Sequence, residues 1–309
     1  MLAAALRALL LWLSNRRWMA RVALGTPILR RMPLRFVAGT TLDQAISAVR
    51  ALNASGASAT LDVLGESVGD RASADRAAAS YVEALERVAA DGLDANVSIK
   101  LSQMGLDLGV EECLAVMMPI VAAGDRHGIF VRIDMESSEY TDRTLEVVDR
   151  LRAAGHDVGP VIQSYLHRSP ADVERLAADR VRTRICKGAY AEGPDVAHQE
   201  RIAVGDAFVT LCQQLLRADA YPGVATHDPE MLERVATFAR ERGIGRDRFE
   251  FQMLYGVRRD LQRRLIERGY RLRIYVPFGT AWYPYFMRRL AERPANVLFV
   301  IRSVLGERS

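Results

Sequence analysis

Eight short β-branched runs, each followed by a stretch with helical periodicity, restrict this chain to very few folds. The runs are ATLDVLG (59–65), NVSIKLSQ (96–103), FVRIDME (130–136), PVIQSYL (160–166), VRTRICKG (181–188), GVATHD (223–228), FEFQML (249–254) and RLRIYVPFG (271–279). Strands that alternate with helices pair in parallel, because each parallel pair needs a long crossover. Right-handed crossovers repeated eight times close the sheet on itself. The expected fold is therefore α/β, a (β/α)8 TIM-like barrel. A doubly wound open sheet competes, but it would want a glycine-rich phosphate loop after a strand, and no G-x-G-x-x-G occurs.

The first sixty residues are mostly helical in pattern. Leu42, Ala45, Ile46, Val49 and Leu52 fall on one face, and Thr41 with Gln44 forms a capping box. We expect residues 1–58 to be an N-terminal helical arm packed on the barrel, and residues 59–309 to be the barrel domain. Met1 to Leu13 is apolar apart from Arg7, and Arg16 and Arg17 follow. That run is too short to span a bilayer and lacks the layout of a secretory signal. It reads either as an amphipathic helix packed on the body or as a peripheral membrane contact.

A length of 309 residues suits one barrel domain, and 50% hydrophobic with 26% charged residues is ordinary for a soluble globular chain. The formal charge of +4 is spread along the sequence and forms no stripe that would suit nucleic acid. Cys113, Cys186 and Cys212 are odd in number and match no metal spacing, so they read as reduced thiols of a cytoplasmic protein without a metal.

Barrel strands should be nearly continuous apolar runs, and charges within them are costly unless paired or facing a site. The exceptions here gather near the C-terminal ends of the runs. They are Lys100, then Asp134 and Glu136, Gln163 and Tyr165, Arg184 and Lys187, Thr226, His227 and Asp228, Glu250 and Gln252, and Tyr275. Seven strands contribute in turn, which points to one mouth, where barrel enzymes place their chemistry. After the eighth run, Tyr285, Arg288 and Arg289 share a helix face, and paired guanidinium groups suit a carboxylate or phosphate.

Together these residues resemble the proline dehydrogenase family, in its short monofunctional bacterial form. The stretches that carry the likeness are VSIKLSQ (97–103), RIDME (132–136), VIQSYL (161–166), RICKGAY (184–190), ATHD (225–228), FEFQMLYG (249–256), YVPFG (275–279) and YFMRRL (285–290). The resemblance implies FAD as cofactor and oxidation of L-proline to Δ1-pyrroline-5-carboxylate, the first step of proline degradation. It implies that Lys100, Arg288 and Arg289 pair with the substrate carboxylate, that Asp134 organises Lys100 and the amine, and that Leu254, Tyr275 and Tyr285 line the pocket. Met135, Gln163, Arg184, Lys187, Gly188, Ala189, Thr226 and His227 match cofactor-contacting positions, with Arg184 near the flavin N5 edge. Tyr190, Gln252 and Glu292 match less closely. It further implies a membrane quinone as electron acceptor, a separate pyrroline-5-carboxylate dehydrogenase downstream, and a cytoplasmic enzyme that can sit on the inner face of the membrane. The chain departs from the family at Ala191, where an aromatic residue is frequent, at Asp228, where Asn is common, and at Arg293–Pro294.

The residues taken alone fit redox chemistry carried by a cofactor. Such a site needs groups that orient substrate and tune the ring rather than a nucleophile, and no G-x-S-x-G, H-E-x-x-H or His/Asp metal set is present. Another flavin barrel of the methylenetetrahydrofolate reductase type, or a cofactor-free aldolase using Lys100 or Lys187 as a Schiff base, are the alternatives.

Overall fold

In a computed structural model, the side chains of residues 36–65 and 67–287 are described, together with the backbone of the last helix through Glu292. The expected apolar segment at Met1–Leu13 lies outside the described residues. Among those described, eight strands form a closed parallel barrel in sequence order. They are β1 (Ser58–Val63), β2 (Ala95–Lys100), β3 (Val131–Asp134), β4 (Val158–Gln163), β5 (Arg184–Cys186), β6 (Gly223–Ala225), β7 (Glu250–Leu254) and β8 (Leu272–Phe278). The register between β1 and β8 runs from Ser58–Arg273 to Val63–Phe278, so no edge remains open.

Several strands end earlier than their patterns suggest. β5 covers only Arg184–Cys186 and β6 only Gly223–Ala225, which leaves Lys187, Gly188, Thr226 and His227 in the loops at the rim. The polar ends of the runs are thus the start of the βα loops.

The helices bury their apolar stripes on the outside of the barrel. The capping box of Thr41 and Gln44 opens α1 (Leu42–Ala54), and Ala45, Ile46 and Val49 are buried. This helix packs over both β1 and β8, so it covers the seam where the barrel closes. Around the wall follow α2 (Arg71–Ala90), α3 (Val110–His127), α4 (Thr141–Ala153), α5 (Ser169–Ala178), α6 (Arg201–Arg217), α7 (Pro229–Glu241) and α8 (Arg259–Glu267). The last helix, α9 (Trp282–Glu292), starts at the C-terminal rim just after β8, and its Phe286 ring lies 6.3 Å from that of Phe36. All three cysteines are free thiols. None of the described helices is long and apolar enough to cross a membrane.

The barrel interior is polar, which requires every charge inside to be compensated. Near the floor, Arg273 donates to both carboxylate oxygens of Glu250, at 2.9 and 3.1 Å, and to the carbonyl of Ala59 at 2.7 Å. Glu250 opens β7, so it belongs to this floor and not to the mouth where its sequence neighbours would group it; a strand's first residue and its last stand at opposite ends of the barrel. Arg132 stacks on the Phe130 ring at 4.5 Å and donates to the Pro160 carbonyl at 3.0 Å.

Burial alone would raise the Glu250 carboxyl, but Arg273 and Gln252 outweigh it and hold it below its ordinary 4.5. Stability from this pair is therefore full at neutral pH and is lost on acidification. Arg273→Ala should cost about 3–5 kcal/mol in urea unfolding, because it strands a buried carboxylate. The double variant E250Q/R273M should recover most of that loss. A single variant as stable as the parent would show that the floor pair contributes nothing.

Candidate active site

The mouth is organised around Asp134, the last residue of β3. Its Oδ1 accepts from the Arg184 guanidinium at 2.8 Å and from the Ser98 hydroxyl at 2.6 Å, while its Oδ2 accepts from the Tyr275 hydroxyl at 2.8 Å. Strands β2, β3, β5 and β8 are therefore tied to one carboxylate. Arg184 also bonds to the Gln252 side chain, which bonds in turn to Glu250, so the network reaches the floor. The guanidinium lies 5.4 Å from the centre of the Tyr275 ring. Burial, reinforced by Asp134, pushes the Tyr275 hydroxyl well above its usual range, so it remains a donor at any working pH.

Lys100 ends β2 beside Asp134 in register, yet its ion pair is with Asp62 on β1, at 3.2 Å. The expected direct organisation of Lys100 by Asp134 is thus replaced by a closer carboxylate, because both oxygens of Asp134 are engaged by Arg184, Ser98 and Tyr275. Burial disfavours the Lys100 ammonium, but Asp62, Asp134 and Glu136 outweigh it and raise it above its ordinary value.

A second group lines the rim from β4 to β7. The Gln163 amide donates to the Glu136 carbonyl at 2.8 Å. Met135 and Thr226 are buried, and Leu254 is half-buried. The backbone N–H of Leu254 donates to His227 Nε2 at 2.9 Å, so a neutral His227 carries its proton on Nδ1. Lys187 lies 3.4 Å from Asp228, which also caps the first turn of α7 through the Glu230 N–H at 3.1 Å. Gly188 has φ +118°, and a Cβ there would sit 2.3 Å from the Tyr165 ring, so only glycine lets the Lys187–Ala189 backbone lie this close. Tyr285 is buried in α9. The side chains of Arg288 and Arg289 lie outside the described residues.

Asp62, Ser98 and Tyr81 escaped the sequence reading. The Tyr81 hydroxyl, on α2, reaches the Ser98 carbonyl at 3.1 Å and Asp62 at 3.4 Å. The available signal was Asp62 itself, a charge three residues before the end of the run 59–65, which adds β1 to the strands that contribute side chains to the network. Composition adds a second signal. Of 42 basic residues only two are lysine, Lys100 and Lys187, and both stand at this mouth. The ammonium is compact and the guanidinium is not, so these two positions are where shape distinguishes the cations.

The chain is similar to known proteins along most of its length. A sequence model described as Proline dehydrogenase matches residues 45–302. The chain is 37% identical over 302 residues to proline dehydrogenase 1 of Bacillus subtilis (strain 168), covering 97% of this chain and 99% of that protein. It is 41% identical over 276 residues to the proline dehydrogenase of Deinococcus radiodurans, covering 88% and 89%. In fold it is similar to proline utilization A (PutA) from Bdellovibrio bacteriovorus inactivated by N-propargylglycine, with a TM-score of 0.81 and 24% identity over 85% of this chain. The chain spans about a third of that structure's length, 33%. With a family match over most of its length and relatives above a third identical along nearly all of it, the chain belongs to the proline dehydrogenase family.

Proposed function

We propose that this chain oxidises L-proline to Δ1-pyrroline-5-carboxylate with FAD as its cofactor, the first step of proline degradation. The observation that carries the reading is the convergence of Lys100, Arg184, Tyr275 and Asp134 at one barrel mouth, with no activated nucleophile among them. Cys186, the thiol nearest this group in sequence, is pushed up to about 12 by burial and is inert as a thiolate. The raised ammonium of Lys100 argues against Schiff-base chemistry, which needs a free amine at neutral pH.

The residues present suit a flavin dinucleotide. Gly188 lets the Lys187–Ala189 backbone pack directly on the Tyr165 ring, which fixes this loop at the rim. Lys187 and Arg184 supply positive charge for phosphate and ring, Gln163 and His227 supply polar edges, and Met135 and Leu254 supply apolar surface. When bound, FAD supplies the two-electron acceptor for the hydride leaving the proline ring carbon next to nitrogen. The remaining work falls to this chain's own groups. Lys100, Arg288 and Arg289 bind the carboxylate and fix the ring's orientation. Tyr275 and Tyr285 bound the pocket, and Asp134 holds Arg184 and Tyr275 rigid. Electrons leave for a membrane quinone, and the product passes to a separate pyrroline-5-carboxylate dehydrogenase. The apolar segment Met1–Leu13, with Arg16 and Arg17 after it, provides peripheral contact with the inner face of the membrane.

Purified protein should be yellow, and anaerobic mixing with L-proline should bleach the flavin bands; a colourless protein that takes up no FAD defeats the reading. Arg288→Ala or Arg289→Ala should raise the KM for proline by about two orders of magnitude while FAD stays bound, as expected when one partner of a desolvated charge pair, worth about 2–5 kcal/mol, is removed. An unchanged KM would remove both residues from the carboxylate site. Deletion of residues 1–30 should abolish flotation with anionic liposomes, and unchanged flotation would sink the membrane reading of this segment.

A further inference from the structure

Asp62 has no solvent exposure at all, and its carboxylate is under-satisfied. Its Oδ1 meets the Lys100 ammonium at 3.2 Å and the Tyr81 hydroxyl at 3.4 Å, while Oδ2 is buried with no hydrogen-bond partner. A bare carboxylate oxygen in a protein interior is costly, and packing alone would be better served by an apolar residue. Tyr81 does not account for it, since its shorter bond goes to the Ser98 carbonyl at 3.1 Å. What Asp62 does supply is a fixed negative charge on the inner side of Lys100, whose side chain is 25% exposed toward the mouth.

We infer that Asp62 is a positioning residue for the reaction: it is the internal counter-ion that keeps Lys100 charged and held at the mouth for the substrate carboxylate. The inference rests on the proposed role of Lys100. An ammonium surrounded by protein loses its proton readily unless a carboxylate lies against it. A lysine that did so would offer a neutral amine to an anionic substrate. Asp62 prevents this while leaving part of the Lys100 ammonium open to a ligand, because a compact ion can face two carboxylates at once. The other charged groups that act on Lys100 are Asp134 on β3 and Glu136 just after it, while the hydroxyls of Tyr81 on α2 and Tyr275 on β8 face Asp62 and Asp134. Asp134 is already bound by Arg184, Ser98 and Tyr275, and Glu136 accepts from the Ser102 backbone at 3.0 Å and its hydroxyl at 2.6 Å. Only Asp62 among these carboxylates has Lys100 as its one cationic partner within 4 Å among the described residues.

The test uses holoenzyme and cyclopentanecarboxylate, a ring acid with no amine, so that only the protein side of the carboxylate contact titrates. Its inhibition constant against proline should be nearly flat from about pH 6.5 to 9.5 in the parent. In Asp62→Asn it should be about tenfold weaker at neutral pH and weaken further as pH rises, since the ammonium is then lost at lower pH. KM for proline should follow the same pattern, with kcat moving far less. Asp62→Ser carries the same expectation and replaces the asparagine variant if that one fails to accumulate. Lys100→Met should weaken the probe at every pH and remove the added pH dependence when combined with Asp62→Asn.

With only two lysines in the chain, lysine-labelled protein gives two side-chain NMR signals, and in the parent the Lys100 signal should stay protonated beyond about pH 9. Loss of its proton below that overturns the inference without any variant. An Asp62→Asn enzyme whose inhibition constant parallels the parent at every pH also overturns it, provided Lys100→Met weakens the probe. If Lys100→Met leaves the probe unaffected, the carboxylate role of Lys100 is wrong, and the role of Asp62 falls with it.

Discussion

Compensation of charge inside a closed barrel is the constraint on which this molecule depends. Three carboxylates, Asp62, Asp134 and Glu250, share the interior with Lys100, Arg132, Arg184 and Arg273. Each of the three carboxylates meets one of these cations, while Arg132 is left to carbonyl oxygens and an aromatic face. Arg132 is thus compensated by dipoles and a ring face rather than by a carboxylate of its own, with Glu250 and Asp134 contributing at longer range. The chain of contacts Glu250–Gln252–Arg184–Asp134–Tyr275 joins floor to mouth, so the scaffold and the site are one connected polar network.

The fold was legible because eight strand-like runs and intervening helical stripes leave little choice of topology. The capping box at Thr41 and Gln44 is present as read. The exact ends of strands were not legible. Thr226 and His227 continue an apolar run in sequence, but β6 stops at Ala225 because the chain turns there toward the Asp228 cap of α7. Residue type also could not separate rim from floor: Glu250 and Gln252 are two residues apart on one strand, and only the start of β7 at Glu250, with its side-chain pair to Arg273, assigns the first to the floor.

Site residues from β2 to β8 were readable as polar interruptions. Their pairing was not, because which carboxylate meets which cation is decided by stagger around the barrel. Asp134 stands opposite Lys100 in register, yet Arg184 reaches it from β5 across the interior, and Lys100 turns to Asp62 instead. Asp62 went unnoticed because one acidic residue in a run of Ala, Thr, Leu and Val reads as an ordinary strand blemish. Its meaning comes from complete burial and a 3.2 Å neighbour 38 positions away.

The position of α1 has a consequence for how this barrel can change over time. A helix from before β1 seals the seam between β1 and β8. Closure of the wall therefore draws on residues that precede the first strand, and a substitution on the inner face of α1 is felt by the first and the last strand together. Drift in that helix is held in check from both ends of the barrel at once.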